Sequence, residues 1–277
     1  MKRELLKDQL LLDESIKENH GSRPTMKGVL YERGKDDFGQ DIFRKVGENT
    51  VVVGGAILAL QKLCGVEASW QPKTLNELYD VPTANAGTTA GSTIALFGVG
   101  TGGSGLQFGS LVEKDIKRRD VPNLIPLRVT DTLTGDDSDL YYFKKDNGDG
   151  TYNWYLKEFS MVPTISTHWK DSLDEETDGS EITDEIADSK RTEGLQTFAE
   201  FILDFNTSDV REYYQAIGSL DQALYNSIGL FTGQKVQQAD GSYEYANVRL
   251  FSYLNIDNKS VRLKTASQYV YRILSLV

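Results

Sequence analysis

Leu140-Tyr141-Tyr142-Phe143-Lys144-Lys145, then Asp146-Asn147-Gly148-Asp149-Gly150, then Thr151-Tyr152-Asn153-Trp154-Tyr155-Leu156-Lys157-Glu158-Phe159, is the stretch on which the reading of the fold turns. Two aromatic runs flank a short polar link, the pattern of a β-hairpin. Asn147-Gly148 and Asp149-Gly150 supply residues that tolerate the positive φ of such turns. A second hairpin is written the same way: Gln234 to Gln238, the turn Ala239-Asp240-Gly241-Ser242, and a return through Tyr243, Tyr245, Val248, Leu250 and Tyr253. Tyr269 to Val277 alternates as a final strand. These elements predict a mainly β chain with a few α-helices (α+β), built as an antiparallel β-sandwich-like core with aromatic hairpins.

Working outward, Phe201-Ile202-Leu203-Asp204-Phe205 reads as a strand, followed by a helix capped by Ser208 and carrying Val210, Tyr213, Tyr214 and Ile217. Thr93 to Val99 is a strand entering a glycine-rich tract, Ser110 to Arg119 a short charged helix, and Leu127 to Thr130 a strand. A helix from Thr50 to Cys64, capped by Asn49 and closed by Gly65, should turn Ile57, Leu58, Leu60 and Leu63 to the core, with Cys64 a small buried apolar residue. Residues 1–28 form an N-terminal helical arm in which Leu5, Leu6, Leu10, Leu12 and Ile16 make an apolar stripe, ended by Gly21, Pro24 and Gly28. Residues 29–277 form the β-rich domain. Within it, 171–193 concentrates ten acidic residues with few apolar ones and reads as a mobile loop.

Chemistry narrows the function classes. The chain has 277 residues, 30 Lys+Arg against 41 Asp+Glu and a net charge of -11, an unsuitable balance for sequence-specific nucleic-acid binding. Its most apolar run, Val51 to Leu60, is about half a bilayer span, so no membrane partner is expected. No targeting segment is read at the N-terminus. One cysteine, Cys64, and two histidines, His20 and His168, give no disulfide framework and no Cys/His metal site. His168 reads as a structural histidine.

Gly98-Val99-Gly100-Thr101-Gly102-Gly103 satisfies G-x-G-x-x-G, yet a dinucleotide fold needs a long apolar helix after the last glycine and an acidic residue ending the next strand. Here a short charged stretch meets Pro122, and Asp131 lies 28 residues past Gly103. The tract therefore reads as a turn or interface loop whose glycines supply φ freedom. No catalytic, cofactor-binding or metal residue is assigned, and no cofactor is expected.

The order of Glu48-Asn49-Thr50-Val51-Val52-Val53-Gly54-Gly55-Ala56-Ile57-Leu58-Ala59-Leu60, the strand and glycine turn Ile94 to Gly102, the basic residues Lys117, Arg118 and Arg119, and Asn226-Ser227-Ile228-Gly229-Leu230-Phe231 resembles a class of tailed-bacteriophage virion proteins found in tails, baseplates, necks and fibre attachments. The resemblance spans roughly residues 48 to 255. It implies a non-enzymatic structural subunit of the virion, assembled in the host cytoplasm, that contacts other virion structural proteins. A homo-oligomer, a ring or a trimer, is expected, with Leu5, Leu12 and Ile16 of the arm and Tyr142, Tyr152, Trp154 and Tyr155 of the first hairpin at its contacts. The alternatives are a capsid decoration protein and a soluble nucleotide-binding enzyme using the Gly98–Gly105 loop.

Overall fold

The computed structural model describes residues 26–35, 39–84, 91–107, 110–113, 123–169, 195–206, 208–260 and 267–275. The arm with Leu5, Leu12 and Ile16, and the acidic segment 171–193, lie outside the described residues.

Strands dominate, and every described pairing is antiparallel. The first sheet contains β1 (Met26–Lys35), β2 (Asp41–Thr50), β10 (Thr164–Trp169), β11 (Leu195–Phe205) and β14 (Ser267–Ser275), in the order β10-β11-β14-β1-β2. The second contains β3 (Thr93–Gly100), β7 (Arg128–Thr130), β9 (Tyr152–Glu158), β12 (Leu224–Gln237) and β13 (Tyr243–Ser260), in the order β13-β12-β3-β9-β7. To it β6 (Leu124–Ile125) adds on β3, and β8 (Tyr141–Asp146) adds on β9. A separate pair joins β4 (Ser104–Gln107) to β5 (Ser110–Glu113).

Strand alternation builds the sandwich. From the first sheet Leu30, Phe201, Leu203, Phe205, Tyr269 and Tyr271 point inward, and from the second Phe97, Val99, Ile228, Leu230 and Leu254 meet them in one core. The two sheets are tied by rings as well as by aliphatic packing. Phe205 stacks on Tyr225 at 5.7 Å and meets Phe97 at 5.2 Å, while the Tyr225 and Tyr269 hydroxyls share a 2.9 Å hydrogen bond.

Both sheets bury apolar side chains on their outer faces too. On the second sheet Leu96, Tyr142, Phe143, Tyr155, Leu156 and Phe231 pack under a short helix, Leu75–Tyr79. That helix begins with a capping box: Thr74 Oγ1 accepts from Glu77 N at 3.2 Å, and Glu77 Oε2 accepts from Thr74 N at 2.7 Å. On the first sheet Val29, Tyr31, Phe198, Val270 and Leu274 form a third cluster. Arg272 sits there with its guanidinium 4.8 Å from the Phe198 ring and 5.0 Å from the Tyr31 ring, and donates to Glu200 at 2.9 Å.

Both hairpins form as the sequence indicates. In the first, Gly148 and Gly150 take φ of 78° and 91°, and Asp146 and Asp149 accept the backbone N–H groups of Gly148 and Thr151. In the second, Gly241 takes φ of 88° between β12 and β13.

Three local expectations are corrected. Ser110–Glu113 is a strand and not the start of a charged helix, because it pairs antiparallel with Ser104–Gln107. The helix after β11, Arg211–Ala216, has no side-chain cap; Ser208 contributes only its backbone carbonyl, which accepts from Arg211 and Glu212, and Ile217 is exposed. Asn49 and Thr50 end β2, so the first helix starts later, at Val53.

Candidate assembly surface

We number the helices α1 (Val53–Cys64), α2 (Leu75–Tyr79) and α3 (Arg211–Ala216). α1 carries apolar residues on several sides, and what decides its orientation is the Gly54-Gly55 pair. Helix α1 lies on β13 by its backbone: a Cβ on Gly55 would stand 2.6 Å from the Phe251 carbonyl oxygen, and one on Gly54 3.2 Å from the Leu250 carbonyl oxygen. Only a side chain of zero length allows that approach. Gly55, Leu58 and Gln61 therefore form the buried face.

The consequence overturns the expected core face of this helix. Leu58 is buried, Ile57 is half-buried, and Leu60 and Leu63 are 61 % and 82 % exposed. Cys64 is exposed as well, not buried. Gly65 ends the helix with φ of 68°, its N–H donating to Gln61 O at 2.8 Å. Beyond it Glu67 accepts from Gln61 Nε2 at 2.5 Å and from Gln71 Nε2 at 2.7 Å, folding the loop back along the helix. That fold places Val66, 61 % exposed, beside Leu60 and Cys64, and Trp70, also 61 % exposed, follows in the same loop. A depression of about 140 Å³ lies between Ile57, Leu60, Cys64, Val66 and Ala68.

A smaller apolar group, Met161, Val162 and Ile165, is exposed at the β9–β10 connection and on β10, the last strand of the first sheet among the described residues. Exposed clusters of this kind mark contact surfaces, whereas scattered single residues do not.

The hairpin aromatics are placed differently. Tyr142 and Tyr155 are buried in the chain's own outer core, where Tyr142 meets Tyr245 edge-on at 4.8 Å and Tyr155 packs against Phe143 and Tyr79. Tyr152 and Trp154 are half-buried, with Lys144 Nζ 5.3 Å and 5.6 Å from their rings. Burial pushes the Tyr142 hydroxyl up to about 12, which Lys235 partly opposes.

A buried polar cluster lies inside the fold. Lys157 Nζ donates to Asp209 Oδ2 at 3.0 Å, and Tyr141 OH donates to Asp209 Oδ1 at 2.5 Å. Asn206 N also donates to Asp209, at 2.8 Å. Burial pushes the Asp209 carboxyl above its ordinary value, and Lys157 and the hydrogen bonds only partly oppose it. Beside it Arg128 pairs with Glu212 at 2.9 Å and with Asp137. These contacts join the first hairpin to the segment after β11. Asp209 and Lys157 are sealed from solvent, so the arrangement serves to hold these segments in register.

Gly98 and Gly100 lie within β3, and none of the glycines described between 98 and 105 has positive φ. The expectation of φ freedom is thereby corrected to one of close approach. A Cβ on Gly98 would stand 2.8 Å from Leu156 Cδ2, and one on Gly103 would strike Asn226 O, while Gly103 N donates to Asn226 Oδ1 at 2.9 Å. His168 is buried, stacked 5.0 Å from the Phe198 ring. Among the described residues no group of three His, Cys, Asp or Glu could hold a metal ion, and no helix is long and apolar enough to cross a membrane.

The outward face of α1 escaped the sequence reading, although its signal was present in Gly54-Gly55, which identifies the docking side of the helix. No protein-family model, curated protein or solved structure matches the chain.

Proposed function

We propose that the chain is a non-enzymatic structural subunit of a tailed-bacteriophage virion, in the tail, neck or baseplate, that works through protein–protein contacts. The observation that carries this reading is the outward apolar side of α1 and its following loop, where Leu60 and Val66 line one depression and Leu63 and Trp70 are exposed as well. Turning Leu60 and Leu63 into water forgoes roughly 1.5 to 3 kcal/mol of burial for each side chain, an arrangement that stabilises the particle only when a partner supplies the burial. Resemblance to virion proteins in the order of sequence elements points to the same class, and a homo-oligomer, a ring or a trimer, follows from one repeated interface. Other virion structural proteins are the remaining partners, and assembly takes place in the host cytoplasm.

The test is mass in solution by light scattering, with incorporation into particles measured beside it. The wild-type chain is expected to form a closed oligomer and to enter particles, and a Leu63→Asp, Trp70→Asp variant is expected to fold but do neither. A wild-type monomer that stays out of particles would overturn the reading.

A further inference from the structure

The α1 face lies next to the place where the N-terminal segment enters the fold. β1 begins at Met26, and Lys27 pairs across the strand with Thr50, the last residue of β2. Val51 and Val52 then lead into α1, with Val52 N donating to Phe251 O at 3.1 Å. The chain before Met26 and the start of α1 therefore leave the first sheet at one end, about 5 Å apart at the Lys27–Thr50 pair. α1 itself is about 18 Å long at 1.5 Å per residue, which bounds the distance to Leu60 and Leu63.

Residues 1–16 carry the apolar complement. At helical spacing Leu5, Leu12 and Ile16 fall on one side, with Lys7 and Glu14 opposite. Residues 17–25 connect this stripe to β1, and extended they span at most about 30 Å, enough to return along α1. A tether of that length holds the stripe at an effective concentration on the order of millimolar.

We propose that the leucine stripe of residues 5–16 is the occupant of the α1 face, seating Leu5, Leu12 and Ile16 of the free subunit against Leu60, Leu63, Val66 and Trp70 of the same chain. The proposal rests on the reading of this face as a docking surface and adds its occupant.

The single cysteine of the chain lies on this face and serves as the reporter. In full-length Leu12→Cys protein, mild oxidation is expected to join the new thiol to Cys64 within one chain, detected by intact mass and a monomeric band on a non-reducing gel. Glu14→Cys, on the other side of the stripe, should cross-link roughly tenfold more slowly, because at helical spacing its thiol faces away from Cys64. Equal rates for the two variants, no cross-link, or a cross-link only between chains would overturn the proposal. A second measurement needs no new cysteine: Leu5→Asp with Leu12→Asp should raise the rate of Cys64 alkylation by roughly tenfold. An unchanged rate also overturns it. Neither outcome is read from oligomeric state in solution or from particle incorporation, so a monomeric chain with a covered Cys64 would sink the virion reading and leave this one standing.

Discussion

Lys157 Nζ lies 3.0 Å from Asp209 Oδ2 with the two residues only 3 % and 4 % exposed, so a lysine of the first hairpin is neutralised inside the fold by the carboxylate that precedes α3. Removing one partner strands the other. Asp209→Asn should cost about 3 to 5 kcal/mol in urea unfolding, and Lys157→Met with Asp209→Asn should recover most of it. A double variant as unstable as the single one would show that Tyr141 and Asn206, not charge pairing, set the cost.

Glu32 ties β1 to two elements: it faces Arg44 across β1–β2 at 2.6 Å and accepts from Lys259 of β13 at 2.9 Å. Burial alone would raise its carboxyl, but hydrogen bonds and charge from Lys259 and Arg44 outweigh burial and hold it below its ordinary value of 4.5. A depressed carboxylate contributes stability that is present above 4.5 and lost as pH falls through the lower folded value. Glu32→Gln should therefore cost about 1 kcal/mol at neutral pH, a figure reduced by solvent screening of exposed Arg44. The Tm difference from wild type should shrink steadily below pH 4.5. A constant difference across that range would remove Glu32 titration as its cause.

Glycine substitutions separate two physical roles. Gly103→Ala meets Asn226 O and lies 2.9 Å from Asn255 Oδ1, and Gly55→Ala meets Phe251 O at 2.6 Å, so each should cost about 2 kcal/mol or more by forcing backbones apart. Gly65→Ala meets nothing within 4 Å and bears only its φ of 68°, so about 1 kcal/mol is expected. Denaturant midpoints would test the order; Gly65→Ala as the costliest of the three would contradict it.

On the surface the expectation reverses. Leu63→Asp and Trp70→Asp should each cost no more than about 1.4 kcal/mol, the tenfold scale of losing a docked arm, since neither side chain is buried against the described fold. Their effect should appear in association, read by light scattering. Destabilisation of about 3 kcal/mol or more, as for a core substitution, would place these residues in the packing of the described fold itself.

Elements governed by local rules were legible in the sequence. The hairpin turns follow from Asn-Gly and Asp-Gly dipeptides, whose φ preference holds wherever they occur, and β11 and β14 follow from dense aromatic and aliphatic runs. Two further signals went unread: Thr74-Leu75-Asn76-Glu77 spells a capping box, and the apolar run Val29-Leu30-Tyr31 lies in β1. The direction α1 faces was not local. Its leucines are as apolar as its buried Leu58, and only the approach of β13 to Gly54 and Gly55 selects which side is covered. Nor could Lys157 and Asp209, far apart in sequence, announce that they would share one buried site. The sequence by itself determined strand content, turn positions and the β-rich class, because these depend on neighbouring residues and on alternation along a strand. Tertiary structure alone decided which apolar residues stay in water and which charges are buried in pairs, because both depend on surfaces brought together from distant parts of the chain.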